Sequence, residues 1–90
     1  MNQPHFYRDV PRMGNVALSR HAIERAERLG LTQKMIEDVL WLGRDTPDGF
    51  QVTLREYNNI RFVIMLRPKP FKGAKLVKTL YKIDPRASAR

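Results

Sequence analysis

Ninety residues, 42% hydrophobic and 29% charged, suit one small globular domain, because a second core would have too little left to bury. No run approaches the ~18 apolar residues of a membrane span, and residues 1–8 lack the apolar stretch of a secretory signal, so a cytoplasmic protein with no membrane partner is expected. There are no cysteines and only two histidines, His5 and His21, which excludes disulfides and thiol catalysis; no metal cage and no cofactor are expected of a chain whose net charge is +8.

Residues 1–17 contain Pro4, Pro11 and Gly14 without a clear period and read as an N-terminal arm. Ser19 is placed to cap a helix running to about Leu29, with Leu18, Ala22, Ala26 and Leu29 on one stripe and Gly30 as its stop. Thr32 can cap a second helix, in which Met35, Ile36, Val39 and Leu40 face a core, and Gly43 ends it. The period then falls to two. Phe50, Val52 and Leu54 alternate with Gln51, Thr53 and Arg55; Phe62, Ile64 and Leu66 alternate with Arg61, Val63, Met65 and Arg67.

These two runs predict a hairpin around Asn58-Asn59. A two-residue turn would pair Leu54 with Val63. A three-residue loop, Tyr57-Asn58-Asn59, would pair Leu54 with Phe62, Val52 with Ile64 and Phe50 with Leu66. The longer loop gathers six apolar side chains on one face, and register follows the buried pattern, so it is the one expected. The opposite face would then carry Thr53, Arg55, Arg61 and Arg67, with Val63 and Met65 between them. The Arg67–Gly73 segment, with two prolines, reads as a loop. A third strand is expected over about Lys75 to Ile83, its core face ambiguous, and residues 84–90 read as a loose tail. The domain is therefore expected over residues 18–83. Its class is α+β, with two N-terminal helices packed on one face of a three-stranded or larger antiparallel sheet.

The charge is lopsided. Residues 1–49 hold seven basic and seven acidic groups, whereas residues 50–90 hold ten basic groups against Glu56 and Asp84. Such asymmetry points to a polyanion: nucleic acid, an acidic protein or an anionic surface. No Gly-rich phosphate loop follows a strand, and no serine or threonine has an evident base beside it. What remains is His21, Arg25 and Arg28 on the first helix, together with the sheet arginines, Lys78, Thr79 and Tyr81. A metal-free ribonuclease needs an acid and a base around a ribose hydroxyl, and cations around the phosphorane oxygens. Imidazole titrates near pH ~6.5 and can serve as acid or base. Arginine grips phosphate bidentately, a helix N-terminus attracts it, and tyrosine can stack a base or orient the hydroxyl. The same residues have plainer readings: His21 bonded to backbone, Arg25 and Arg28 paired with Glu24 and Glu27, and the strand arginines simply solvated.

The run Leu18-Ser19-Arg20-His21-Ala22-Ile23-Glu24-Arg25-Ala26-Glu27-Arg28-Leu29-Gly30-Leu31-Thr32 resembles a pattern of short bacterial and phage proteins. In it a His-Ala opening is followed by an arginine four residues on, a second arginine before a glycine, and a second helix. It is similar to an uncharacterised group related to BrnT and RelE toxins, of the barnase–EndoU–colicin–RelE nuclease-like fold, whose closing strand tends to hold a Thr-x-Tyr, here Thr79-Leu80-Tyr81. The resemblance spans about residues 16–83. It implies a RelE-like fold and a metal-independent ribonuclease or translation inhibitor of a toxin–antitoxin pair. It also implies RNA, on or off the ribosome, as target and an acidic antitoxin as partner. By motif, His21, Arg25, Arg28, Thr79 and Tyr81 come from it; Arg55, Arg61, Arg67 and Lys78 come from the strand pattern. The alternative reading is a non-catalytic phage or plasmid module that engages nucleic acid or an acidic host protein.

Overall fold

A computed structural model describes residues 6–66 and 73–83. In chain order the elements are β1 (Phe6–Val10), β2 (Gly14–Leu18), α1 (Arg20–Leu29), α2 (Gln33–Leu42), β3 (Arg44–Pro47), β4 (Val52–Tyr57), β5 (Ile60–Met65) and β6 (Lys75–Lys82).

Both helices begin and end on local chemistry. Ser19 accepts from the Ala22 amide at 3.0 Å, and Gly30, at φ +73°, turns the chain left-handed so that the Leu31 amide closes onto the Ala26 carbonyl. Thr32 accepts from the Met35 amide at 3.2 Å. Ala22 and Ala26 of α1, and Ile36, Val39 and Leu40 of α2, enter the core as the helical spacing requires.

The sheet departs from expectation. It has six strands in the order β1-β2-β6-β5-β4-β3 and is mixed, because β2 runs parallel to β6 while every other pair is antiparallel. This corrects the picture of two N-terminal helices on a purely antiparallel sheet of the RelE-like kind; only the general α+β character stands. The helices follow a hairpin and open the long connection, continued by β3, β4 and β5, that returns β6 parallel to β2. Residues 6–18 are therefore part of the sheet and not an arm. Tyr7, Val10, Met13, Val16 and Leu18 are buried in the core. A bulge between Tyr7 and Val10, and left-handed Asp9 and Arg12, hide the alternation that would have announced these strands.

The β4–β5 register is also corrected. The turn is the two-residue one: Asn58 and Asn59 both take positive φ, 52° and 65°, and Tyr57 pairs with Ile60, so Leu54 meets Val63 and Arg55 meets Phe62. Two consecutive left-handed residues match the twist of a tight hairpin, and asparagine tolerates that conformation. The slip of one residue exchanges the faces of β4. Thr53 and Arg55 lie on the helix side with Ile60, Phe62 and Ile64, while Val52 and Leu54 turn outward. Phe50, expected in the core, is 98% exposed just before β4. In β6 a bulge lies between the Val63–Thr79 and Ile64–Val77 pairs. It leaves Lys78 unpaired and lets Val77 and Leu80 both face the core, which removes the ambiguity of that strand.

Candidate functional site

β2 leaves the sheet at Leu18, which pairs with Val77, and the chain enters α1 beside the β6 bulge. Ser19 fastens this corner twice more. Its amide donates to the Val77 carbonyl at 3.0 Å, and its hydroxyl donates to the Lys78 carbonyl at 2.9 Å. Beyond this point α1 packs against β6, and Arg25 Nε donates to the Leu80 carbonyl at 3.1 Å. The bond sets the half-buried Arg25 guanidinium against the strand backbone between Thr79 and Tyr81.

One group of expected site residues is thus assembled along the α1–β6 seam. His21 is exposed in the first helical turn, Arg28 is exposed in the last, and Lys78 is exposed at the bulge. Among the described residues Arg25 and Arg28 form no ion pair with Glu24 or Glu27, and His21 makes no hydrogen bond. The Ala22 and Ile23 amides are taken by Ser19, so the donors left at this helix end are those of Arg20 and His21.

The second group lies on the outward sheet face. Tyr81, Arg61, Glu56 and Arg44 stand in one cross-strand row. Arg61 Nη1 donates to the Tyr81 hydroxyl at 3.1 Å, its guanidinium lies 5.7 Å from the centre of the Tyr81 ring, and it forms an ion pair with Glu56. The Tyr81 hydrogen bond and then Glu56 raise the Arg61 pKa further, so its charge is permanent. Thr79 is half-buried in the next row, opposite Val63.

The expected cationic sheet face does not form. Arg55 is fully buried on the helix side. It donates to Asp45 Oδ2 at 2.8 Å and the Pro11 carbonyl at 3.0 Å through Nη2, to Asp45 Oδ1 through Nε, and to the Leu40 carbonyl through Nη1. It cannot touch RNA. Arg61 is neutralised by Glu56, and Arg67 lies outside the described residues. Arg55 instead holds down the Asp45 carboxyl, whose pKa it lowers, mainly through the hydrogen bonds between them. Arg12 completes this clamp through Asp45 and the Gly43 carbonyl. Sequence reasoning missed the contributions of Arg44 and Glu56 to the outward row. For Glu56 the signal was present in Asn58-Asn59, since the two-residue turn sets it opposite Arg61; Arg44 joins the row only through the β3–β4 pairing.

No group of three or more metal-binding side chains occurs among the described residues, and no described helix is long and apolar enough to cross a membrane. The chain matches no protein-family model, no curated protein and no solved structure.

Proposed function

We infer that the protein is a toxin-like, metal-independent ribonuclease or translation inhibitor that engages RNA along the α1–β6 seam. The observation that carries this reading is the Arg25–Leu80 bond. It lays a helix bearing Arg20, His21, Arg25 and Arg28 beside a strand bearing Lys78, Thr79, Tyr81 and Lys82. Phosphate would be held by Arg28, Lys78 and the free amides at the start of α1. His21, exposed and without a hydrogen bond among the described residues, would act as general acid or base. Arg25 would stabilise charge on the phosphorane oxygens; Tyr81 and Thr79 face the outward side of the sheet, away from the core that α1 packs on, and are left out of this site. The resemblance to BrnT- and RelE-related toxins supports this reading, with a cytoplasmic RNA target and an acidic antitoxin as natural partner.

The test is incubation of the purified protein with total RNA in chelator. Cleavage is expected from the natural sequence, with a loss of about 100-fold or more in His21→Ala at unchanged thermal stability. Equal cleavage by that variant would remove the imidazole from the chemistry. One observation favours a non-catalytic module on the same seam: Arg25 already has a protein partner. RNA binding that weakens steeply with salt and yields no products would select that reading.

A further inference from the structure

At the end of the sheet, α2 passes into β3 and the β4–β5 turn lies beside the end of β6. There the surface opens into a cavity of ≈ 520 Å³ lined by Arg44, Glu56, Tyr57, Asn58 and Asn59, with Leu42 and Ile83 as apolar sides. Small-molecule sites typically measure about 300–1,000 Å³. The frame is fixed by the pairing of Arg44 with Glu56 and of Tyr57 with Ile60, and by the Ile83 amide, which donates to the Asn59 carbonyl at 2.7 Å. The α1–β6 seam uses none of these residues, and Ile83 follows Lys78 by roughly 15 Å of chain. The polar groups here are uncommitted. Glu56 is neutralised by Arg61, whereas the exposed Arg44 makes no hydrogen bond or ion pair among the described residues. The exposed Tyr57 hydroxyl and the side-chain amides of Asn58 and Asn59 likewise have no partner among them.

The turn itself does not call for a second asparagine. Both central residues have a left-handed φ, 52° and 65°, and the second position of such a turn favours glycine, which takes that conformation without strain. What Asn59 adds is a side-chain amide at the cavity. The chemistry of the lining then selects the ligand. A spare guanidinium calls for an anion, best a phosphate that it can grip bidentately. An exposed tyrosine ring beside apolar walls offers a stacking surface to a flat ring. Two amides, each both donor and acceptor, match the donor–acceptor edge of a nucleobase. The carboxylate of an acidic peptide would use Arg44 alone. We propose that this cavity is a nucleotide-binding site, with the base stacked on Tyr57, its edge bonded by Asn58 and Asn59, and the phosphate held by Arg44. The proposal goes beyond the RNA reading of the seam. A seam that cleaves nothing leaves it standing, and a cavity that binds nothing leaves the seam standing.

The experiment is titration of the isotope-labelled full chain with adenosine monophosphate, followed by amide resonances in two-dimensional NMR spectra. The backbone resonances of Tyr57, Asn58 and Asn59 and the side-chain amides of both asparagines are expected to move together, with a dissociation constant on the order of 1 mM. Inorganic phosphate and adenosine, each offering part of the contacts, should bind at least about 10-fold more weakly. Tyr57→Ala should weaken the nucleotide about 10-fold through lost stacking, and Arg44→Gln about as much, with a flatter response to salt. Asn59→Gly separates binding from structure: affinity should fall about 3- to 10-fold while thermal stability holds or rises. A single-stranded DNA tetramer, which has no 2′-hydroxyl to attack, distinguishes the two sources of such a ligand. Tighter binding than adenosine monophosphate at the same resonances assigns the cavity to a nucleotide within a strand, and equal or weaker binding assigns it to a free one. The proposal is overturned if the Tyr57–Asn59 resonances stay still at about 10 mM nucleotide. It is overturned too if phosphate alone binds as tightly, or if Tyr57→Ala and Asn59→Gly bind as the natural sequence does.

Discussion

Arg55 shows how one side chain can lose a surface role to a structural one. Four donor contacts tie together β4, the end of α2, the β1–β2 turn and Asp45, and the guanidinium has no exposure. A buried charge is tolerated only when paired, and removing its partner strands it. Asp45→Asn is therefore expected to cost about 3–5 kcal/mol at neutral pH, read from denaturant unfolding. The pH dependence has a definite sign. Arg55 lowers the Asp45 pKa in the folded state, so the contribution of Asp45 is present above its unfolded value of about 3.9 and is lost as pH falls through the folded one. The stability gap between the natural sequence and Asp45→Asn should be constant from about pH 7 to 5 and shrink below about pH 4. A gap independent of pH would show that the carboxylate is not what holds Arg55.

At the scale of elements, the close of α2 depends on a glycine for space and not for backbone freedom. Gly43 has an ordinary φ of −69°, yet a Cβ there would lie 2.3 Å from the Val39 carbonyl oxygen, 2.6 Å from Arg55 Cγ and 3.1 Å from the Glu56 carbonyl oxygen. Two of these neighbours are backbone, so the clash cannot be relieved by a rotamer change. Gly43→Ala should lose about 1–3 kcal/mol in a denaturant melt, although alanine is the better helix former. By contrast Gly30, with open space and φ +73°, should accept asparagine at a cost below about 1 kcal/mol. The helix stops were legible as glycines in the chain. The reason for Gly43 was not, because only the packed structure brings Arg55 against it.

For the whole molecule, the N-terminal hairpin separates a sheet from an arm. Its turn is held by the Pro11 carbonyl on Arg55 and the Met13 carbonyl on Lys75, and its inward side chains close one end of the core. Removing residues 1–13 would trim only an arm under the sequence expectation. In this fold it takes an edge strand and exposes the core, and should abolish the cooperative thermal transition seen by circular dichroism. A truncated chain that melts cooperatively at the natural temperature would restore the arm.

Both helices, their caps, and strands near β4, β5 and β6 were readable in the chain, because capping hydrogen bonds and apolar spacing act over a few residues. Which way those strands face was decided elsewhere. A period of two yields two equivalent solutions, and the choice fell to the left-handed pair Asn58-Asn59 and to the bulge at Lys78. Counting apolar side chains favoured the other register, because it could not foresee that both Asp45 carboxylate oxygens and two carbonyls would make an arginine acceptable inside. The mixed sheet belongs to the same class of outcome. β2 and β6 are far apart in sequence, and only the folded chain, through the Ser19 corner and the long connection that α1 and α2 open, sets them side by side.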